Sequence, residues 1–463
     1  MTSSHLYSNT LSEKCKPSFR KNKVEILSLQ MYIILRENEQ IIEKYRKKTP
    51  EERGNMNCRK LKKYAELIVK KGLNLDRGQE VLILASLDQP DFVRSVVELC
   101  YKAGASRVLV QWKDDPVEKL HLTYRSEKSL SRLDSWELAR LKWRTKKLPA
   151  LLWLDSDDPD AMDGIDQGKR ARAQMARFPK IKPFRDAMEG KYQWCIAGIP
   201  GEKWAKKVFP GLPARKATEK LWDAILSASR ANDGNPCANW DEHNRIIRER
   251  AEKLNSFHFD SLEYKSMNGT DFRVGLIPDA LFLGGAETDR SGRIFNPNIP
   301  SEEIFTSPMR GRAEGTLVST KPLSWQGTLI EDFSVSFHEG KVAQLKARKG
   351  EEALKRMTDM DEGASFLGEI ALISWDSPIN NSGILFYNTL FDENACCHVA
   401  LGRGFENCIR DYEKFSLDEI HKKGINDSMI HVDFMIGAPD LQIRGITRAG
   451  KKIEIFRQGN WVI

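Results

Sequence analysis

The pattern of apolar residues changes near Asn255, and this change divides the chain between two kinds of architecture. Before it, apolar strands alternate with amphipathic helices. Residues 80–85 form a continuous apolar run of strand length. Residues 92–101 place their apolar side chains at helical spacing and stop near Gly104, and residues 108–112 make a second strand. Strand, helix and strand at this spacing form a βαβ unit, whose doubly buried strands read as unbroken apolar runs. After Asn255, short strands are separated by Gly-rich turns. Residues 259–264, Asn268-Gly269 and residues 271–276 predict a hairpin. Further strands are expected at 315–320, 327–333, 335–337, 341–345, 370–375, 429–434 and 441–447, with a helix at 351–360. The expected fold is an α/β N-terminal domain over residues 59–254. An α+β C-terminal domain with a mostly antiparallel sheet follows over residues 255–463. A length of 463 residues suits two domains.

The rest of the N-terminal domain reads as connecting helices. Residues 61–71 form a helix stopped by Gly72 and Asn74. Residues 116–190 are expected to be mostly helical, broken by Pro149 and by an acidic turn at 155–160. That turn lacks the central glycine and closing glutamate of a calcium loop. A strand at 192–197 and helices at 217–229 and 241–254 follow. Asp114 and Asp115 read as loop caps or surface charge, and Trp222 and Trp240 as packing residues. Residues 1–58 read as a poorly organised extension, with a short helix or strand at 24–35 and a solvated helix or tail at 37–60.

Composition removes several function classes. The net charge of +8, from 73 basic and 65 acidic residues, is too diffuse to mark a nucleic-acid binder. No apolar run is long enough to span a bilayer. Eight scattered cysteines, with Cys396 and Cys397 adjacent, suit a reducing cytoplasm. There is no Gly-x-Ser-x-Gly elbow, no P-loop and no Gly-x-Gly-x-x-Gly fingerprint.

What remains is a set of carboxylates and imidazoles in the last third of the chain. Glu393 precedes His398 by five residues, and His431 precedes Asp433 by two. Glu303 and Glu369 lie upstream. Four carboxylates and two imidazoles suit a pair of borderline divalent ions better than one ion. His431 and Asp433 would share one face of a strand. Glu393 and His398 need a turn between them to converge. Spacing alone leaves open both a metal site and a set of solvated or core-satisfied side chains. Cys396 and Cys397 lack a base and orienter for nucleophilic work and read as packing behind the site.

Ordered segments along residues 62–463 carry a resemblance. They include Tyr101-Lys-Ala-Gly-Ala105, Asn268-Gly-Thr-Asp271, Ile304-Phe-Thr-Ser-Pro308 and Leu367-Gly-Glu369. Glu393-Asn394, His398-Val-Ala-Leu-Gly402 and the stretch from Asn426 to Gly437 continue the series. Taken together, the chain resembles the M29 family of metallo-aminopeptidases. The resemblance implies removal of N-terminal residues from short or unfolded peptides by a water activated between two divalent ions, whether cobalt, zinc, magnesium or manganese. It implies metal ligands at Glu303, Glu369, Glu393, His398, His431 and Asp433. A ligand carboxylate or an unliganded glutamate would accept the proton of the attacking water, Glu303 or Glu369 being the first choices. The resemblance also implies a homodimer whose partners are peptides, with neither nucleic acid nor membrane. Phe405 stands where the family has a tyrosine with a proposed catalytic part, so a weakly active homologue is one alternative. A related mononuclear-iron ring-cleaving oxygenase is the other.

Overall fold

The computed structural model describes residues 50–463 except 157, 279 and 326, with side chains from Cys58 onward. The expected element at 24–35 and most of the expected tail at 37–60 lie outside the described residues. Residues Lys60–Ile463 make one compact unit. Within it are an N-terminal α/β region and a C-terminal α+β region.

The α/β region is built on a parallel sheet. Helix α1 (Pro50–Leu67) runs into a π turn at Ile68–Leu73 and ends where Asn74 takes a left-handed conformation. Strand β1 (Glu80–Ser86) buries Val81, Leu82, Ile83 and Ala85, because helices cover both faces of a parallel sheet. Helix α2 (Pro90–Lys102) begins with proline at its first turn and buries Phe92, Val93, Val96 and Cys100. Strands β2 (Arg107–Lys113) and β3 (Ala150–Asp155) flank β1, and β4 (Trp194–Gly198) lies beyond β3.

Strand β3 falls inside a stretch expected to be mostly helical. Its core, Ala150-Leu-Leu-Trp-Leu154, is uniformly apolar, so period gives no signal, and pairing with β1 and β4 decides its state. The acidic turn after it is held by lysines. Lys203 reaches Asp158 at 3.3 Å and Lys207 reaches Asp160 at 2.8 Å. Asp114 caps the helix Asp115–Tyr124 by accepting from the Val117 amide. Trp240 is fully buried, and Trp222 packs on Tyr64 and Phe92.

The C-terminal region follows helix α3 (Pro236–Ser256), which starts earlier than expected because Asn235 caps it. A nine-stranded sheet contains β5 (Phe259–Lys265) and β6 (Asp271–Leu276), the expected hairpin. The short strand β7 (Asn298–Ile299) leaves this region to pair in parallel with β4 as an edge of the α/β sheet.

The site is carried by a second, five-stranded antiparallel sheet. Its strands are β8 (Ile304–Thr306), β9 (Leu367–Leu372), β10 (His398–Gly402), β11 (His431–Met435) and the short Leu283–Gly284. Their order is β11-β10-β9-β8, with Leu283–Gly284 at the far edge. Strands β9 and β10 are buried along their full length. That burial is why ionisable side chains on them need partners.

Candidate metal centre

Glu303 sits immediately before β8. Its neighbours hold the segment from three sides. His243 donates a hydrogen bond from Nε2 to the Ser301 carbonyl at 2.7 Å. Glu302 turns away to form a forked pair with Arg230. The Glu302 amide donates to Asn394 Oδ1 at 2.7 Å. Gly284 lies opposite Ile304, and a Cβ there would sit 2.3 Å from the Glu303 carbonyl oxygen.

Glu369 owes its direction to an irregularity in β9. Pairing with β10 shifts register between Leu367 and Glu369, leaving Gly368 as an extra residue. A Cβ at Gly368 would lie 2.2 Å from the Arg403 carbonyl oxygen, so only glycine fits the bulge. After the bulge Glu369 faces Ala400, and Ala400 faces Asp433 on β11. Facing residues of antiparallel strands project to the same side. The small Ala400 therefore leaves room between the two carboxylates. His398 and His431 lie on the same row, two residues to either side of the Ala400–Asp433 pair.

Glu393 and His398 are joined by the turn their spacing requires. Helix Thr389–Asp392 passes into a 3-10 turn at Glu393–Ala395, and β10 then starts at His398. His398 Nδ1 donates to the Glu393 carbonyl at 2.8 Å, leaving Nε2 for the site. His431 is fixed alike, with Nδ1 donating to the Arg403 carbonyl at 2.7 Å. Both rings are thus set in one tautomer by backbone carbonyls, the usual support for a metal-binding imidazole.

The side chains converge as two overlapping groups. Glu303, Glu369 and His398 form one, and Glu369, His431 and Asp433 the other, with the ligand atoms of each group lying within 4.8 Å of one another. Glu369 belongs to both. His398 Nε2 stands 3.6 Å from Glu303 Oε2, and His431 Nε2 stands 3.0 Å from Glu369 Oε2. The Glu393 carboxylate falls outside both groups, but its charge reaches Asp433.

The electrostatics describe a site short of positive charge. Burial, then the charges of Glu369 and Asp433, push the Glu303 carboxyl well above the usual range. Burial and the charges of Asp433 and Glu303 do the same to Glu393. Burial opposes protonation of His431, but Asp433 and Glu369 outweigh it and hold the ring well above the ordinary imidazole value. Burial also opposes ionisation of Asp433, and His431 reverses that effect. Asp433 Oδ1 is buried and takes no hydrogen bond. An orphaned carboxylate oxygen, two oriented imidazoles and a shared glutamate fit two divalent cations.

Phe405 lies at the edge of this arrangement. Its ring centroid is 4.9 Å from that of His431 and 5.1 Å from that of Phe305. Its amide donates to Ser307 Oγ at 2.7 Å.

Residues 57–461 match the family profile described as thermophilic metalloprotease (M29). The chain belongs to the M29 family. It is 40% identical over 403 residues to aminopeptidase AmpS of Bacillus subtilis (strain 168), covering 87% of this chain and 98% of that one. It is 39% identical over 406 residues to aminopeptidase T of Thermus thermophilus, covering 88% and 99%. The solved structure of wild-type AmpT from Thermus thermophilus superposes with a TM-score of 0.80 at 38% identity, covering 88% of this chain and 99% of that one.

Two contributors to this M29 site carry no ligand chemistry and were not singled out in the sequence. Asn394 ties the Glu393 turn to the Glu303 segment, also donating to the Leu390 carbonyl at 2.9 Å. Gly368 makes the bulge. Their signal was present, since each adjoins a candidate ligand in a short motif. Cys396 and Cys397 are buried, and neither joins a ligand group.

Proposed function

We infer that this M29 protein is a metal-dependent aminopeptidase that removes the N-terminal residue from short or unfolded peptides. The observation that carries the reading is Glu369, shared by two ligand groups that meet on one face of a buried sheet. The proposed ligands are Glu303, Glu369, Glu393, His398, His431 and Asp433, with Glu369 spanning the two positions. Two bound divalent ions would polarise the scissile carbonyl and lower the pKa of a water. The chain itself supplies orientation and proton transfer. The two carbonyl-anchored histidines present Nε2 without further reorganisation. Glu303 or Glu369 takes the proton of the attacking water and passes it to the departing amine. Phe405 has no hydroxyl, so it shapes the wall beside His431 and donates nothing to the developing oxyanion.

Cobalt, zinc, manganese and magnesium all suit such a donor set. A homodimer in a reducing cytoplasm is part of the same proposal. It is supported by the free state of all seven described cysteines and by exposed Trp112 and Tyr124 near the edge strand β2. Among the described residues no helix is long and apolar enough to cross a membrane. The test is metal content together with release of the N-terminal residue from an unblocked peptide. Two ions per chain, and activity lost in Glu369→Gln, are expected. One iron per chain without peptide hydrolysis, or inactivity with all four metals, would overturn the reading.

A further inference from the structure

Asn426 lies five residues before His431 and belongs to neither ligand group. Its side chain is buried. Nδ2 donates to the Gly402 carbonyl at 2.6 Å and to the Gly363 carbonyl at 2.9 Å. The Asn426 carbonyl accepts from the Gly404 amide at 2.8 Å. Gly363 opens the 3-10 turn Gly363–Ser365, which leads into β9 and Glu369. Gly402 ends β10, and the chain after Asn426 enters β11 at His431. One side-chain amide therefore joins β9, β10 and β11 at the same end of the sheet. His398 stands at the other end of β10, opposite Ala371.

The orientation of this amide is decided by what it faces. Two carbonyls can only accept, so the two N–H groups of Nδ2 must meet them. Oδ1 is buried and takes no hydrogen bond. A buried acceptor left unmet is destabilising, and an apolar residue here would leave two carbonyls in that state. Between the two groups that Asn426 grips, the Gly402 carbonyl and the Gly404 amide, stands Arg403. The Arg403 amide donates to the Ile430 carbonyl at 2.7 Å, and its carbonyl accepts from His431 Nδ1 at 2.7 Å. Gly402, at φ +105°, faces His431 across the two strands. A glycine on each side leaves Arg403 without side-chain bracing from its neighbours, and Asn426 supplies it from outside. With the ring held in this way, His431 Nε2 stands 3.0 Å from Glu369 Oε2 and 3.3 Å from Asp433 Oδ1.

We propose that Asn426 is a positioning residue of the metal centre, fixing the Arg403 carbonyl against His431 so that Nε2 faces Glu369 and Asp433. This rests on the two-metal reading and adds the side chain that sets one imidazole independently of the other. Without the Nδ2 donors the 402–404 turn loses its tether. His431 Nδ1 then loses a fixed acceptor, the ring can rotate, and the group it forms with Glu369 and Asp433 holds a cation less tightly. His398 is oriented separately by the Glu393 carbonyl and keeps its direction.

The experiment uses the full chain loaded with cobalt. Asn426→Asp keeps the size of the side chain and removes both donors, and Asn426→Ala removes the side chain. Val335→Ala, buried in the nine-stranded sheet, is the stability control. A ring N–H of a cobalt-bound histidine gives a proton NMR signal far outside the ordinary range that disappears in D2O. The wild type should show two such signals, one for each carbonyl-anchored Nδ1–H. In both Asn426 variants one signal should shift or broaden and the other should stay. One of the two cobalt ions should be bound about ten- to a hundredfold more weakly, and the other within about twofold of wild type. Val335→Ala should lower Tm while keeping both signals and both affinities. Unchanged signals and affinities in a folded Asn426 variant would overturn the proposal. So would loss of both signals or both ions together, or failure of both Asn426 variants to fold, because Asn426 would then hold the fold and not one ring. A wild type that binds fewer than two cobalt ions, or shows no such signals, would instead defeat the two-metal reading, which separates the two failures.

Discussion

At the scale of single residues, position 405 limits the chemistry most directly. The Phe405 ring packs against His431 and Phe305, and Phe405→Tyr keeps that ring while restoring a phenolic hydroxyl. If a hydroxyl there stabilises the oxyanion, as the family resemblance implies, Phe405→Tyr should raise kcat by about tenfold or more, because one well-placed donor contributes at least that much. Steady-state kinetics at matched metal content would measure it, and an unchanged kcat would remove position 405 from the mechanism. Glu287 has a separate signature in stability. Its folded pKa, about 7, lies above the ordinary carboxylate value of 4.5. The folded chain therefore holds its proton more tightly than the unfolded chain. This group penalises the folded state above pH 7, and the penalty disappears as pH falls toward 4.5. Glu287→Gln should then raise the Tm of the metal-free protein at pH near 8 and change it little near pH 4.5. Thermal scans of both proteins across that window would check the sign. The six proposed ligands were singled out in the sequence on different grounds. Strand period puts His431 and Asp433 on one face without deciding what they bind. The choice of Glu303 over adjacent Glu302 needed the resemblance, because only folding shows Arg230 and Asn394 turning Glu302 away.

At the scale of elements, the site depends on one bulge and one turn. The bulge at Gly368 shifts β9 by a residue and sets Glu369 opposite Ala400. A side chain at 368 meets the carbonyl oxygens of Arg403 and Gly402, which are backbone atoms that cannot move aside. Gly368→Ala should therefore lower stability by about 1–3 kcal/mol, as overpacking of a filled site does, and release metal together with it. Denaturant unfolding and metal analysis would read the two effects. Asn394 acts on the turn. Truncation to alanine leaves the Glu302 amide without its acceptor, at a cost of about 1–3 kcal/mol. It should also weaken metal binding about ten- to a hundredfold while every ligand remains in place. Normal metal affinity in Asn394→Ala would show that the turn holds its shape without it. Long periodic elements such as α2 and the β5–β6 hairpin were legible in the sequence because their own residues decide them. Strand β3 was not, since an apolar run without alternation becomes a strand only through its neighbours. The two-residue strands Leu283–Gly284 and β7 are too short to carry a period at all.

At the scale of the whole molecule, the sequence pattern changes at a boundary near Asn255, but Lys60–Ile463 make one compact unit and the candidate metal centre draws on both patterns. The core of the α/β region includes Ile299, Ile379, Phe386, Leu390 and Phe391 from beyond that boundary. Phe391 stacks on Phe386 at 4.7 Å and packs against Trp204, whose indole N–H donates to the Phe386 carbonyl at 2.5 Å. Asn388 donates to Asp155 at the end of β3 at 2.7 Å. Glu393 follows this anchored segment directly, so the α/β region serves as the bed on which one wall of the site rests. Two consequences separate this view from that of a self-sufficient catalytic domain. A fragment of residues 255–463 exposes those five apolar side chains, a loss of about 7–15 kcal/mol at about 1.5–3 kcal/mol each. That equals the whole stability of an ordinary domain, so the fragment should show no cooperative unfolding transition. Trp204→Ala in the full chain should cost about 3–5 kcal/mol and lower metal affinity, although Trp204 belongs to neither ligand group. Metal retained after dialysis, measured beside the unfolding midpoint, tests this. If Trp204→Ala loses stability and keeps both ions at full affinity, the Glu393 segment holds its shape through β10 alone. The α/β region would then contribute to the fold without supporting the centre.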